Sequence, residues 1–415
     1  MTNLSELAEM EHTDPEFVPD ILPVDARLSV KGEVSKLIGL FERAAAITPS
    51  KETIPGTSYA LLEAFQTSSD EVAYLRITAS DGEQTISVVA DGINVLMSGA
   101  VLLPAKRILD ILKLAPSNIV KLEVLGDAAL IRSSRAQWTV KTPVGDSLNT
   151  IPDVSTVELS TVPVGPFLNA LLIARKAASN LSNRDSLMQL LVRNGTVTGC
   201  DGGRLHRADL RGLDTTASFT IPIRVADELA KSLRATDSEF FRMGYDDRIL
   251  VFRIDQNSII AQRLLIAFPE VENLLLGPAF SNMNSLTVST KELANVVKRV
   301  RVNADPDYSG VFLRLVPGKK DAEGQLSWSL SVRTKDRHGN ASQEVIECQW
   351  VGSKTPPELC LNHHYLSDFL SSYDADMVVF KVGDDSKTHK SPLFLEDKTL
   401  GFTGIIQQMR SDWIR

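Results

Sequence analysis

Cys200 and His206 bracket the run Cys200-Asp201-Gly202-Gly203-Arg204-Leu205-His206, which places a thiol, a carboxylate and an imidazole within seven residues. A thiol beside an imidazole is the pattern of a cysteine nucleophile with its general base. Cys200, however, ends a strand-like run and opens a turn-like Asp-Gly-Gly, where a structural turn is the simpler reading. The six histidines (His12, His206, His338, His363, His364, His389) show no metal-ligand spacing beyond the adjacent pair. Neighbours on a helix diverge by roughly 100°, so His363 and His364 make a poor bidentate site. No phosphate loop, dinucleotide fingerprint, HExxH, CxxC or nucleophile elbow occurs. The sequence therefore predicts no catalytic residue, no metal and no cofactor.

The other chemically suggestive residues are basic, and they recur at helical spacing. Lys36 and Arg43 lie seven apart, as do Lys106 and Lys113, and Lys291 and Lys298. Arg224, Lys231 and Arg234 share one face of another segment, and Arg175 and Lys176, with Arg184 beyond, close a further one. A seven-residue step returns to the same side of a helix, so each set forms one exposed face. The chain as a whole is acidic, with 44 Lys and Arg against 52 Asp and Glu. Concentrated cations on one wall of an acidic protein suit an anionic partner facing that wall only.

These faces belong to six helical segments that begin near residues 30, 104, 163, 222, 289 and 362. Apolar stripes mark their buried sides: Val34, Leu37, Ile38 and Phe41 in the first, and Ala105, Ile108, Leu109 and Leu112 in the second. Val225, Leu229 and Leu233 do the same in the fourth, and Leu293, Val296 and Val300 in the fifth. The sixth, from Asn362 to Tyr373, lacks basic residues. Strand-like runs fill the rest: Ala73–Thr78, Thr85–Ala90, Ile119–Leu125, Gln137–Lys141, Leu187–Val192, Ile249–Ile254, Gly310–Leu315, Ser327–Val332 and Met377–Val382. They are short and bounded by turn residues, as antiparallel strands are. Several strands follow each helix, so the helices pair into three repeated α+β domains of two halves each. The expected boundaries are an acidic flexible extension over 1–27 and domains over 28–155, 156–280 and 281–415, with turns at Asp153–Val157 and Gly277–Asn284.

Three scattered cysteines fit a reducing compartment. Residues 1–27 carry neither the basic start nor the apolar core of a secretory signal, and no run is long enough to span a membrane. A cytoplasmic, nucleoid-associated location is the expectation.

Five motifs in order carry a family resemblance over about residues 28–410. Cys200–Leu205 resembles the Thr-Asp-Gly-x-Arg-Leu turn in the second domain of the bacterial DNA sliding clamp, the β subunit of DNA polymerase III. Val101–Pro116 is similar to its first-domain Val-Pro-Ala-Arg/Lys helix start, and Arg263–Leu275 to its second-domain ending. Leu361–Leu370 resembles the third domain's Asn-x-x-Tyr-Leu helix start, and Gly404–Arg410 its terminal strand. Cys200 replaces the family's Thr, Gln407-Gln408-Met409-Arg410 replaces Met-Pro-Met-Arg with five residues following, and the acidic start is unusual, as in a diverged phage or plasmid member.

The resemblance implies a non-enzymatic processivity factor: a homodimeric head-to-tail ring, sheets outside and helices lining a hole for duplex DNA. Lys36, Arg43, Lys106, Lys113, Arg175, Lys176, Arg224, Lys231, Arg234, Lys291 and Lys298 would face the DNA without reading bases. Trp138 and Val140 on the Gln137–Val140 edge would meet Val302 to Tyr308 of a second copy. Polymerase and other partners would dock a peptide among Leu187, Gly202, Gly203, Arg204, Leu205, Pro269, Asn273, Leu274, Pro392, Ile405 and Gln407. A separate clamp-loader ATPase would open the ring. Two other readings stay open: a clamp-derived interaction protein without a ring, suggested by the altered ending and the non-basic sixth helix, and an enzyme using the Cys200–Asp201–His206 neighbourhood.

Overall fold

The computed structural model describes residues 28–49, 54, 56–66, 73–143, 151–181, 184–210, 216–264, 266–272, 284–320, 326–352, 358–383 and 392–410. The expected extension over 1–27 and most of the Gly277–Asn284 turn lie outside these residues. The chain divides into two compact units. One runs to Asp153 and takes in Gln256–Ser258; the other holds Val154–Asp255 and Ile259 onward.

One local unit recurs through both. A short strand leads directly into a helix, and a meander of antiparallel strands follows. The first unit contains β1 (Ser29–Glu33) with α1 (Val34–Ile47), and its meander opens with β2 (Ala60–Gln66), β3 (Ala73–Ser80) and β4 (Gln84–Asp91). The small strand β5 (Asn94–Met97) pairs with β1. Next come β6 (Gly99–Leu103), α2 (Ala105–Lys113), β7 (Ile119–Leu125), β8 (Ala128–Ser133) and β9 (Ala136–Lys141).

The second unit repeats the pattern four times. The first two repeats are β10 (Ser160–Pro163), α3 (Val164–Ala177), β11 (Gln189–Arg193), β12 (Thr196–Cys200) and β13 (Arg204–Asp209), then β14 (Ser218–Pro222), α4 (Ile223–Ala235), β15 (Phe240–Tyr245), β16 (Ile249–Ile254) and β17 (Asn257–Gln262). The last two are β18 (Asn284–Ser289), α5 (Thr290–Val300), β19 (Gly310–Lys320), β20 (Leu326–Lys335) and β21 (Ala341–Val351), then β22 (Leu359–Asn362), α6 (His363–Leu370), β23 (Met377–Val382), β24 (Leu393–Asp397) and β25 (Phe402–Ile406).

The leading strand of each half pairs with the meander of the other half. β1 joins β7 while β6 joins β2; β10 joins β15 while β14 joins β11; β18 joins β23 while β22 joins β19. The exchange extends into the helices. The first helical N–H, which has no partner within its own helix, donates across to the carbonyl just before the other half's meander. Val34 reaches Asn118 at 2.8 Å, Val164 reaches Glu239 at 2.9 Å, and Ile223 reaches Met188 at 3.0 Å. Thr290 reaches Asp376 and His363 reaches Ser309, both at 2.8 Å. This explains why Glu33, Pro163 and Pro222 precede their helices without a side-chain cap. Three domains of two exchanged halves result, an α+β fold with antiparallel sheets.

The apolar stripes pack as the periodicity requires. Ala105, Ile108, Leu109 and Leu112 are all buried in α2, and Leu293, Val296 and Val300 in α5. Three expectations shift. The first helix begins at Val34 rather than near residue 30, because Ser29–Glu33 pairs as a strand on both edges. Leu187 lies in a single 3-10 turn (Asp185–Leu187), so that strand starts at Gln189. The sixth helix ends at Leu370, with Asn362 capping the amides of His364 and Tyr365.

In the second unit one sheet runs unbroken across two domains through β13 and β25, where Arg204 to Ala208 align antiparallel with Ile406 to Phe402. Phe369 of α6 packs on that seam, against Gly404. A methyl at Gly404 would overlap the Phe369 ring edge, and Phe369 is fully buried. Gly404→Ala is therefore expected to lower unfolding stability by about 1–3 kcal/mol. Phe369→Leu added to it should recover part of the loss, as read by denaturant unfolding; no recovery would place the strain elsewhere.

Candidate functional site

On the face of the β13–β25 seam opposite the helices lies an apolar floor. Cys200, Leu205, Val271, Phe394 and Ile405 form one cluster, with Leu187 and Phe268 packed against it. Alternation puts them there: Leu205 pairs with Cys200 on one side and Ile405 on the other, and Ile405 pairs with Phe394. The segment 266–272 is tied down over this face at both ends. Gln189 Nε2 donates to the Ile266 carbonyl at 2.9 Å. Arg207 clasps Glu272 with two bonds of 3.1 and 2.6 Å, which hold the Glu272 carboxyl below its usual range. Between the ties, Phe268 and Val271 drop into the floor.

The turn between Cys200 and Leu205 is built from acceptors. Asp201 Oδ1 takes the amides of Gly203 and Arg204 at 2.9 and 3.0 Å. Gly202 adopts φ +89°, which L side chains resist. Arg204 turns away from the floor toward α6. Its Nε bonds Asp201 at 3.1 Å, its Nη1 bonds Asp368 at 2.5 Å, and the guanidinium stacks 4.4 Å above the Tyr365 ring. Arg204 is thus engaged within the chain by Asp201, Asp368 and Tyr365.

Of the expected pocket residues, Leu187, Leu205 and Ile405 come together in the floor. Gly202 and Gly203 form its turn, and the Gln407 amide donates to the Gly203 carbonyl at 2.8 Å with the Gln407 side chain exposed. Pro269 follows Phe268, and Pro392 precedes β24; both are half-buried. Asn273 and Leu274 lie outside the described residues. Phe268, Val271, Phe394 and the ties from Gln189 and Arg207 went unnoticed in the sequence. The pairing of Phe394 with Ile405 is tertiary information, although Phe268 and Val271 sat inside a quoted motif.

The geometry excludes the Cys200–His206 nucleophile. Cys200 lies in the floor, and burial with the Asp201 charge pushes its thiol up to about 12. His206 belongs to the opposite face of β13, fully buried, and its Nδ1 donates to the Ile173 carbonyl of α3 at 3.1 Å. Its ring stands edge-on to Phe369 and Phe402. No thiolate–imidazole pair forms.

The helix face is basic. The six helices hold thirteen Lys and Arg against six Asp and Glu, in a chain whose net charge is −8. Lys36, Lys113, Arg224, Lys231, Arg234, Lys291 and Lys298 are exposed; Arg43, Lys106, Arg175 and Lys176 are half-buried. Several have partners: Lys113 with Glu42 at 2.9 Å, Lys231 with Glu228 at 3.5 Å, and Arg175 with Asp227 at 2.8 Å. Lys36 reaches the Asp91 carbonyl at 3.2 Å. Of these, the Lys113–Glu42 pair is exposed on both sides and is worth at most about 1 kcal/mol. Exposed Arg107 adds to the α2 face and was not singled out from the sequence.

Two strand edges bear on the expected contact between copies, each hydrogen-bonded on one side only among the described residues. One is β9, where Val140 is core and Trp138 half-buried, so the edge presents its backbone with Gln137, Thr139 and Lys141. The other is Ala341–Cys348 of β21. Val302–Tyr308, expected as the partner edge, is instead a 3-10 turn and loop, because Asn303 bonds the Ala341 carbonyl and Asp305 holds Arg337. Val302 nonetheless stands 80% exposed beside the start of β21.

Six strand–helix–meander units exchanged pairwise into three domains make the architecture of DNA sliding clamps, and the chain has that fold. It superposes on the beta sliding clamp of C. crescentus with a TM-score of 0.76 at 20% identity, covering 93% of this chain and 100% of that one. The DnaN sliding clamp of Bartonella birtlesii, solved bound to griselimycin, gives 0.77 at 17% identity, covering 92% and 100%. The DNA polymerase III beta subunit of Thermotoga maritima gives 0.74 at 19%, covering 92% and 99%. No protein-family model matches the sequence, and no curated protein matches it. Among the described residues no helix is long and apolar enough to cross a membrane.

His206 makes the seam sensitive to acid. Burial lowers its pKa from 6.5 to about 4, so the folded protein holds the neutral ring while the unfolded chain protonates near 6.5. Stability is then complete above pH 6.5 and declines as pH falls toward 4, by about 3 kcal/mol in all. His206→Gln should flatten that decline, leaving the share due to His363, also lowered to about 4 by burial. Urea unfolding at pH 7 and pH 5 measures it; an equally steep loss in the variant would absolve His206.

Proposed function

We propose that this chain is a sliding clamp: a non-enzymatic processivity factor that encircles duplex DNA and holds polymerase and other partners by a short peptide. The observation that carries this reading is the concentration of positive charge on the helices of a clamp-fold chain that is otherwise acidic. Phosphates attract such a face without base recognition, and contacts that compete with internal carboxylates stay weak enough for movement along the duplex.

Domains over 28–155, 156–280 and 281–415 would associate head to tail in two copies, the β9 edge meeting the Ala341–Cys348 edge. Lys141 and Arg135 flank the first; Glu344 and Glu347 line the second. Paired edges bury their unsatisfied backbone groups. Val302 and Trp138 would add apolar contact. A separate ATPase would open the ring, since this chain carries no phosphate loop. The apolar floor beside Arg204 would take bulky side chains of the partner peptide, in a cytoplasmic setting close to the nucleoid.

Sedimentation is expected to give about twice 45.5 kDa, and Val302→Glu with Trp138→Glu to give monomers. Protein loaded on circular DNA should persist there and leave linear ends, with Lys291→Glu and Lys298→Glu shortening its stay. Equal loss from both topologies, or a stable wild-type monomer, would favour an interaction protein without a ring.

The floor is tested separately by calorimetry with a polymerase-derived clamp-binding peptide. Burial of apolar area offset by ordering of a flexible segment predicts micromolar affinity, on the order of −8 kcal/mol. Leu187→Asp, at a half-buried position, should abolish binding and leave the dimer intact. Undiminished binding would move the partner site elsewhere.

A further inference from the structure

Lys176 closes α3 on the basic helix face, yet its ammonium is turned inward along the chain. Nζ donates to the Ser371 carbonyl and to Ser371 Oγ, both at 3.0 Å. That carbonyl lies just past the last residue of α6, where helix carbonyls lack internal partners and a cation is favoured. Lys176 borders a cavity of about 360 Å³ shared with Asn169, Ile173, Arg234 and Tyr373. Desolvation there lowers its pKa, opposed by the Asp368 charge.

The same turn of α6 is gripped from the other side. Ser371 Oγ and Ser372 Oγ donate to the Asp368 carbonyl at 2.9 and 2.7 Å, and the Asp368 carboxylate holds Arg204 Nη1. Tyr365, one turn earlier, stacks on the Arg204 guanidinium and occupies the space where a side chain at Gly203 would begin, 2.8 Å from Tyr365 Cε2. Arg204 in turn bonds Asp201, whose other oxygen fixes the turn's amides. That turn connects Cys200 to Leu205, two residues of the apolar floor. A continuous set of bonds therefore runs from the helix face, through the last turn of α6, to the floor.

We propose that Lys176 is a positioning residue for the apolar floor, acting through Asp368 and Arg204 on the Asp201–Arg204 turn, and not a phosphate contact. The consequence for partners rests on the peptide-docking reading of the floor; the bond relay itself does not.

The test uses the full chain with Lys176→Met, Lys176→Arg, and Lys298→Met as a control on another helix. Amide hydrogen exchange is followed over 201–205 and 365–372, and calorimetry measures the polymerase-derived peptide. Lys176→Met is expected to speed exchange in both segments and to weaken the peptide about fivefold, the lower end of ordinary coupling between sites. Lys176→Arg, which keeps a donor, should restore both, and Lys298→Met should alter neither. Exchange that rises only over 365–372 would overturn the relay. So would normal exchange and affinity in Lys176→Met together with a shortened stay on circular DNA, which makes Lys176 a phosphate contact. Wild-type protein that binds no peptide would sink the docking reading, while the exchange result would still decide the relay.

Discussion

Everything in this structure follows from the reciprocal exchange between half-domains. A leading strand cannot satisfy its own half, so it pairs with the meander of the other, and the helix that follows begins with its first amide already bonded across the exchange. Backbone hydrogen bonding is obligatory for buried groups, so neither half of a domain is complete alone. The exchange also fixes where each helix leaves its sheet. That is why all six helices can share a packing role while their outward residues diverge in sequence.

The two faces of these sheets carry different chemistry. On the helix side the balance of side chains is positive, but much of that charge is already balanced by a nearby carboxylate or carbonyl, as in Arg175 with Asp227 and Lys113 with Glu42. On the other side the floor is apolar, framed by Gln189, Arg207 and the Asp201 turn. Cys200 belongs to this floor as a small hydrophobe. Burial makes its thiol inert, so a residue that reads as a departure from the family pattern takes a packing role without requiring new chemistry.

The seam between β13 and β25 joins these two faces. His206, Phe369, Phe402 and Gly404 fill its helix side, while Leu205 and Ile405 fill the other. A residue moved at the seam is felt on both sides, because its strand neighbours point alternately to each. Arg204 is the clearest case: its own side chain answers to α6, yet the next residue along is part of the floor.

The amino-acid sequence by itself determined the elements and their repetition. Apolar stripes at helical spacing located α2, α4 and α5 to within a residue, and short runs between turn residues located most strands, because both signals are local and need no knowledge of partners. The basic seven-residue steps were legible for the same reason. Three things were decided only by tertiary structure. The first strand was hidden because Ser29–Glu33 has too few residues to show alternation, and its strand character comes from β5 and β7. Val302–Tyr308 is placed at an edge by the resemblance alone, and bonds from Asn303 and Asp305 to residues far along the sequence hold it as a turn and loop. Most consequentially, motif position marked Arg204 as a pocket residue and its place at a helix end marked Lys176 as DNA-facing, but neither signal names their partners within the chain. Both are bound to α6, more than 160 positions away, and no spacing in a linear sequence reports a hydrogen bond of that separation.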